Sequence, residues 1–83
     1  MDRTPYSSHP RLNIVPVNAA DVIRSWRLRA GLTQEGLAQA LCVTFSTVSR
    51  WENGHVRPSK LAWLVFERLA AERSCPLFVE EPN

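Results

Sequence analysis

The chain has 83 residues, enough for one domain with a small core, which excludes a multidomain enzyme. Apolar residues make up 45% and charged residues 22%, a globular rather than a disordered balance. Ten Lys and Arg against eight Asp and Glu give a net charge of +2, too small by itself to indicate a nucleic-acid partner.

Residues 1–17 hold three of the six prolines, at positions 5, 10 and 16, and show no helical period. Residues 1–10 read as an arm, and 11–17 (Arg-Leu-Asn-Ile-Val-Pro-Val) as a short edge strand. Asn18 followed by Asp21 predicts a capping box that opens a first helix over residues 18–30. Val22, Ile23, Trp26 and Ala30 form its apolar stripe, and Gly31 closes it. Thr33 then caps a second helix, Gln34–Leu41, with Leu37, Ala38 and Leu41 facing inward. Thr44 caps a third over residues 45–53, ended by Gly54. Pro58-Ser59 starts a fourth, Lys60–Glu72, and Pro76 breaks the tail, which has room for one short extended segment at 74–79. The expectation is an all-α bundle of four to five helices with short extended segments at the termini. It divides into an arm (1–17), a helical domain (18–72) and a tail (73–83), the tail a candidate dimerisation element.

The second and third helices are informative. About eight residues, a turn of two or three and about nine more fit helix-turn-helix geometry, with Ala38 small enough for a close crossing and Val43 and Val48 filling the turn. Periodicity alone fits an ordinary small helical bundle equally well.

The residues themselves go further. The stretch Arg27-Leu-Arg-Ala-Gly-Leu-Thr-Gln-Glu-Gly-Leu-Ala, then Val43-Thr-Phe-Ser-Thr-Val-Ser-Arg-Trp-Glu-Asn-Gly, then Arg57-Pro-Ser, resembles the Xre-type family. These are the lambda-repressor and Cro-like helix-turn-helix DNA-binding proteins, and the resemblance spans roughly residues 20–71. It implies that the third helix enters the major groove of duplex DNA, with Phe45, Ser46, Ser49 and Arg50 at base edges. Arg50 is the strongest reader, because a guanidinium bonds O6 and N7 of guanine together. Core packing is the competing role for Phe45, and a phosphate or surface ion pair the competing role for Arg50. Gln34 matches a family position that meets a phosphate, where first-turn N–H groups and the helix dipole favour an anion. Thr33, Thr44, Thr47, Asn53, His55, Arg57 and Lys60 complete the expected phosphate contacts. Arg27 and Glu52 match a largely buried salt bridge, and Trp26 and Trp51 are expected in the core.

One departure and one excess of apolar surface stand out. Cys42 occupies a position where family members usually place glycine, and must accept a positive φ or shift the turn. The fourth helix carries Leu61, Ala62, Trp63, Leu64, Val65, Phe66, Leu69 and Ala70, more apolar surface than one face hides. Its cover is expected from residues 12–17, residues 77–79, a second subunit, or all three. A homodimer is favoured, because one recognition helix selects too few bases.

The expected function is a sequence-specific transcriptional repressor. The alternative is an antitoxin-type module that neutralises a toxin or other partner protein, with DNA binding secondary. No enzyme is expected: there is no glycine-rich phosphate loop, no paired carboxylates beside a His and no metal-ligand cluster, so neither cofactor nor metal is implied. Cys42 and Cys75 stand too far apart for a zinc pair and read as reduced thiols. No apolar run approaches the roughly 18 to 20 residues of a membrane helix, and Met1–Pro5 is unlike a secretion signal, so a cytoplasmic protein of bacterial, phage or plasmid origin is expected. Charge distribution supports the DNA reading. Residues 24–60 carry Arg24, Arg27, Arg29, Arg50, Arg57 and Lys60 against Glu35 and Glu52, so the positive charge lies in the segment expected to touch DNA.

Overall fold

Side-chain hydroxyls set three of the helix starts in the computed structural model, which describes residues 15–77. The described residues form α1 (Ala19–Arg29), α2 (Gln34–Leu41), α3 (Phe45–Glu52) and α4 (Lys60–Glu72), with no strand and no fifth helix among them. Thr33 Oγ1 accepts from the Gly36 N–H at 2.9 Å, Thr44 Oγ1 from Thr47 at 3.1 Å and Ser59 Oγ from Ala62 at 3.0 Å. Each cap satisfies an otherwise orphaned first-turn donor and contributes about 1 kcal/mol.

α1 starts differently, and the expected Asn18–Asp21 capping box does not form. Asn18 sits at φ −98°, ψ 33°, with no side-chain cap bond. A cap side chain reaches the first turn from extended backbone, whereas here the chain already turns: Ala19 N–H bonds the Pro16 carbonyl at 3.1 Å. Residues 15–17 are accordingly not a strand, and the rest of the expected 11–17 segment lies outside the described residues.

All four helices end in the same way. Gly31 (φ 75°), Cys42 (φ 59°), Gly54 (φ 75°) and Ser74 (φ 54°) are left-handed. In each case the next residue's N–H reaches back to a carbonyl five residues earlier: Leu32 to Arg27 at 3.0 Å, Val43 to Ala38 at 2.9 Å, His55 to Arg50 at 2.9 Å and Cys75 to Ala70 at 3.1 Å. α1 and α3 therefore stop one residue short of expectation, with Ala30 and Asn53 as their cap residues. Cys42 does accept the positive φ, at a steric cost that glycine would not incur. Cys42→Gly is expected to raise stability by about 0.5 to 1 kcal/mol, the steric relief exceeding the greater entropy of glycine in the unfolded chain. A urea titration checks this: the midpoint should rise at unchanged slope, and an unchanged midpoint would remove the strain argument.

Ile23, Trp26, Leu37 and Val48 are fully buried, joined by Trp51, Trp63, Phe66 and Ala70. α3 packs on both α1 and α2, and α4 packs on α2. Ala38 is buried on α2, and Val43 packs against the core from the turn. Trp26 meets Phe66 edge-on, centroids 5.3 Å apart at 85°.

Instead of an extended segment, residues 75–77 form a latch across α1. Trp26 Nε1–H donates to the Cys75 carbonyl at 2.7 Å, while Arg29 Nη1 and Nη2 donate to the carbonyls of Pro76 and Leu77, each at 2.8 Å. Residues 78 and 79 lie outside the described residues.

Glu67 is the one discordant charge on α4, with Oε1 buried and unpartnered among the described residues. Burial pushes its carboxyl above the ordinary value of 4.5, opposed by the Trp63 indole N–H. A raised carboxylate pKa means the folded state penalises the charged form above that value. The penalty disappears as pH falls through the folded value toward the unfolded one. Glu67→Gln should therefore gain most on the wild type at neutral pH and least near pH 4, read as the difference between two stability–pH curves. A gap that widens on acidification would contradict this.

Candidate nucleic-acid interface

α3 is short and two-sided. Val48 and Trp51 face the core, while Phe45, Ser46, Ser49 and Arg50, spaced i, i+1, i+4 and i+5, share the opposite face. Phe45 is 50% exposed, so it is not a core residue. Ser46 and Arg50 are exposed and Ser49 is half-buried. The Arg50 guanidinium bonds no described side chain or backbone group, whereas Ser49 Oγ accepts from Asn53 Nδ2 at 3.4 Å.

Thr44 and Thr47 bracket the start of α3, their hydroxyls 2.8 Å apart. Across the three-residue turn 42–44, α2 presents its own capped start at Thr33. Gln34, its first residue, does not stand alone. Its Nε2 donates to Glu52 Oε1 at 3.0 Å, tying the start of α2 to the end of α3.

Glu52 also holds the Arg27 guanidinium in a two-point grip, with Nε to Oε2 at 2.7 Å and Nη2 to Oε1 at 3.0 Å. Arg27 Nη1 further donates to the Leu32 carbonyl at 3.0 Å. The side chains are 12% and 3% exposed, the largely buried bridge that the sequence comparison implied. The bonds to Glu52 and its charge hold the Arg27 guanidinium above its ordinary range, with burial opposing them.

The loop from α3 to α4 carries His55 and Arg57, both exposed, and Lys60 opens α4. Arg57 was expected to face phosphate, and here its Nη2 also donates to the Val15 carbonyl at 2.6 Å. The six basic residues of 24–60 thus divide. Glu52 neutralises Arg27, the exposed Arg29 and Arg57 bond backbone carbonyls, and the exposed Arg24, Arg50 and Lys60 have no side-chain bond among the described residues. Arg29 belongs to the segment expected to touch DNA, yet it bonds the tail, and no local pattern signals a partner 47 residues away.

A family model described as helix-turn-helix matches residues 23–63, a span that begins inside α1 and ends inside α4. No curated protein and no solved structure matches the chain. The match supports a DNA-binding helix-turn-helix regulator. No described helix is long and apolar enough to cross a membrane. With α2 and α3 packed together, an exposed face on α3 and the Arg27–Glu52 bridge tying α1 to α3, residues 23–63 form a helix-turn-helix of the lambda-repressor-like, Xre type.

Proposed function

We propose that the protein is a cytoplasmic, sequence-specific transcriptional repressor that occludes a promoter by binding duplex DNA as a homodimer. The observation that carries this reading is the open face of α3, where Arg50 projects beside Phe45, Ser46 and Ser49 with no protein partner among the described residues. In the major groove Arg50 bonds guanine, the serines serve as short donor-acceptors and Phe45 lies on a thymine methyl group. Thr33, Gln34, Thr44, Thr47, Asn53, His55, Arg57 and Lys60 meet the flanking phosphates and set the register.

The homodimer rests on α4. Leu61 is 70% exposed, and Leu64 and Val65 are exposed beside it. Leu61 and Val65 also line a mostly apolar groove of about 240 Å³, together with Leu41, Val43, Trp51, Ser59 and Ala62. A second copy of the chain is the occupant that also places two recognition helices about one duplex turn apart, roughly 34 Å.

Selection of binding sites from random duplexes, with mass measurement in solution, tests the proposal. Arg50→Ala should lose about 1 to 3 kcal/mol of discrimination at one base pair per half-site and keep its other preferences. A wild-type protein that binds selected and scrambled duplexes equally would overturn the repressor reading. A monomer on both free protein and operator would overturn the dimer. Co-purification with a neighbouring gene product would favour the antitoxin reading.

A further inference from the structure

We infer that Glu52 is a positioning residue for DNA binding: its carboxylate fixes the side-chain amide of Gln34 in the orientation that offers an N–H to a phosphate. This rests on the proposed phosphate contact of Gln34.

The two residues are 18 apart in sequence, at the end of α3 and the start of α2. Glu52 Oε1 accepts both from Arg27 Nη2 and from Gln34 Nε2, each at 3.0 Å. A carboxylate only accepts, so the Gln34 amide must present its NH2 group to it and turn its own carbonyl away. One N–H is used on Glu52. The second is available, next to first-turn backbone N–H groups of Gln34 and Glu35 that no helix carbonyl can reach. An untethered glutamine on a surface samples many rotamers, and about half of its amide orientations present the carbonyl oxygen, which repels a phosphate. Holding the amide through Glu52 removes that loss.

Arg27 has a part in the same device. A lone carboxylate beside a phosphate site would oppose binding, and the two-point guanidinium grip cancels its charge while leaving Oε1 able to accept from Gln34. The pair is therefore more than a brace between α1 and α3.

A double-mutant cycle separates positioning from bracing. The readout is fluorescence anisotropy on a labelled duplex carrying the selected operator and on a scrambled duplex. All proteins are held where circular dichroism shows them folded. Gln34→Ala should weaken wild-type binding to both duplexes by about tenfold, the loss of one hydrogen bond to a charged group. Replacing the pair together, Arg27→Met with Glu52→Met, keeps the apolar volume and should weaken binding by a similar factor. Adding Gln34→Ala to that double variant should then change nothing further. A further tenfold loss would show that Glu52 does not position Gln34 and would overturn the inference alone. No effect of Gln34→Ala in the wild type would instead remove the phosphate contact itself.

Glu52→Gln keeps an acceptor for the amide and is expected to bind within about threefold of wild type; a full tenfold loss counts against positioning. One measurement needs no altered bridge. The Gln34 NH2 protons, identified by their disappearance in Gln34→Ala, should resonate away from free glutamine amides in the unbound protein and move when operator is added. Shifts typical of a free amide would overturn the tether.

Discussion

Arg27→Met is expected to lower the unfolding free energy by about 3 to 5 kcal/mol, a large fraction of what a domain of this size possesses. The substitution removes the two guanidinium bonds to Glu52 and the one to the Leu32 carbonyl. It leaves a carboxylate only 3% exposed, with Gln34 as its remaining side-chain donor. Most of the cost is that stranded charge, so Arg27→Met with Glu52→Met should recover most of the stability. The Arg27 side of the bridge is insensitive to pH in the neutral range. A base held above its ordinary value contributes fully below that value and loses its contribution only at extreme alkalinity. Urea unfolding of the two variants against the wild type is the check. Equal losses in single and double variants would mean that packing, not charge, dominates. The single variant will also fail to bind DNA, through unfolding rather than through a lost contact. Binding per folded molecule is therefore the quantity to compare.

How much of this was legible depended on how local the determinant is. Thr33, Thr44 and Ser59 act on N–H groups three residues away, and Gly31 and Gly54 act on their own φ, so spacing alone located those ends. Asn18 failed for a local reason too: a cap residue needs extended backbone, and the Pro16 carbonyl had already claimed the Ala19 N–H. Ser74 gave no signal, because serine seldom adopts positive φ. It does so here where the chain must reverse for residues 75–77 to reach Trp26 and Arg29. Those contacts join residues 47 to 49 apart, and no periodicity encodes them. At the candidate site, the family resemblance rather than composition or spacing singled out Phe45, Ser46, Ser49 and Arg50 on α3. That Gln34 bonds Glu52, and Arg57 the Val15 carbonyl, depended on helix packing that only the fold supplies.

Trp26→Ala is expected to cost a similar 3 to 5 kcal/mol, by a different route. Trp26 is fully buried on α1, packs edge-on against Phe66 of α4, and donates through Nε1 to the Cys75 carbonyl. One side chain thus connects the first helix, the last helix and the latch, and its removal leaves a cavity where all three meet. Trp26→Phe separates the contributions. It keeps much of the aromatic contact but strands the Cys75 carbonyl, and should cost about 1 to 3 kcal/mol for the lost bond and smaller ring. Chemical denaturation followed by circular dichroism distinguishes them, since the altered residue is itself a fluorophore. If Trp26→Phe is as damaging as Trp26→Ala, the N–H bond to the latch rather than ring volume holds α1 in place. Arg27 follows Trp26 directly on α1. Loosening this helix should therefore weaken the grip on Glu52 and, through it, the order of Gln34. Trp26→Phe binding DNA at wild-type affinity per folded molecule would show that the latch and the DNA-facing network are energetically independent.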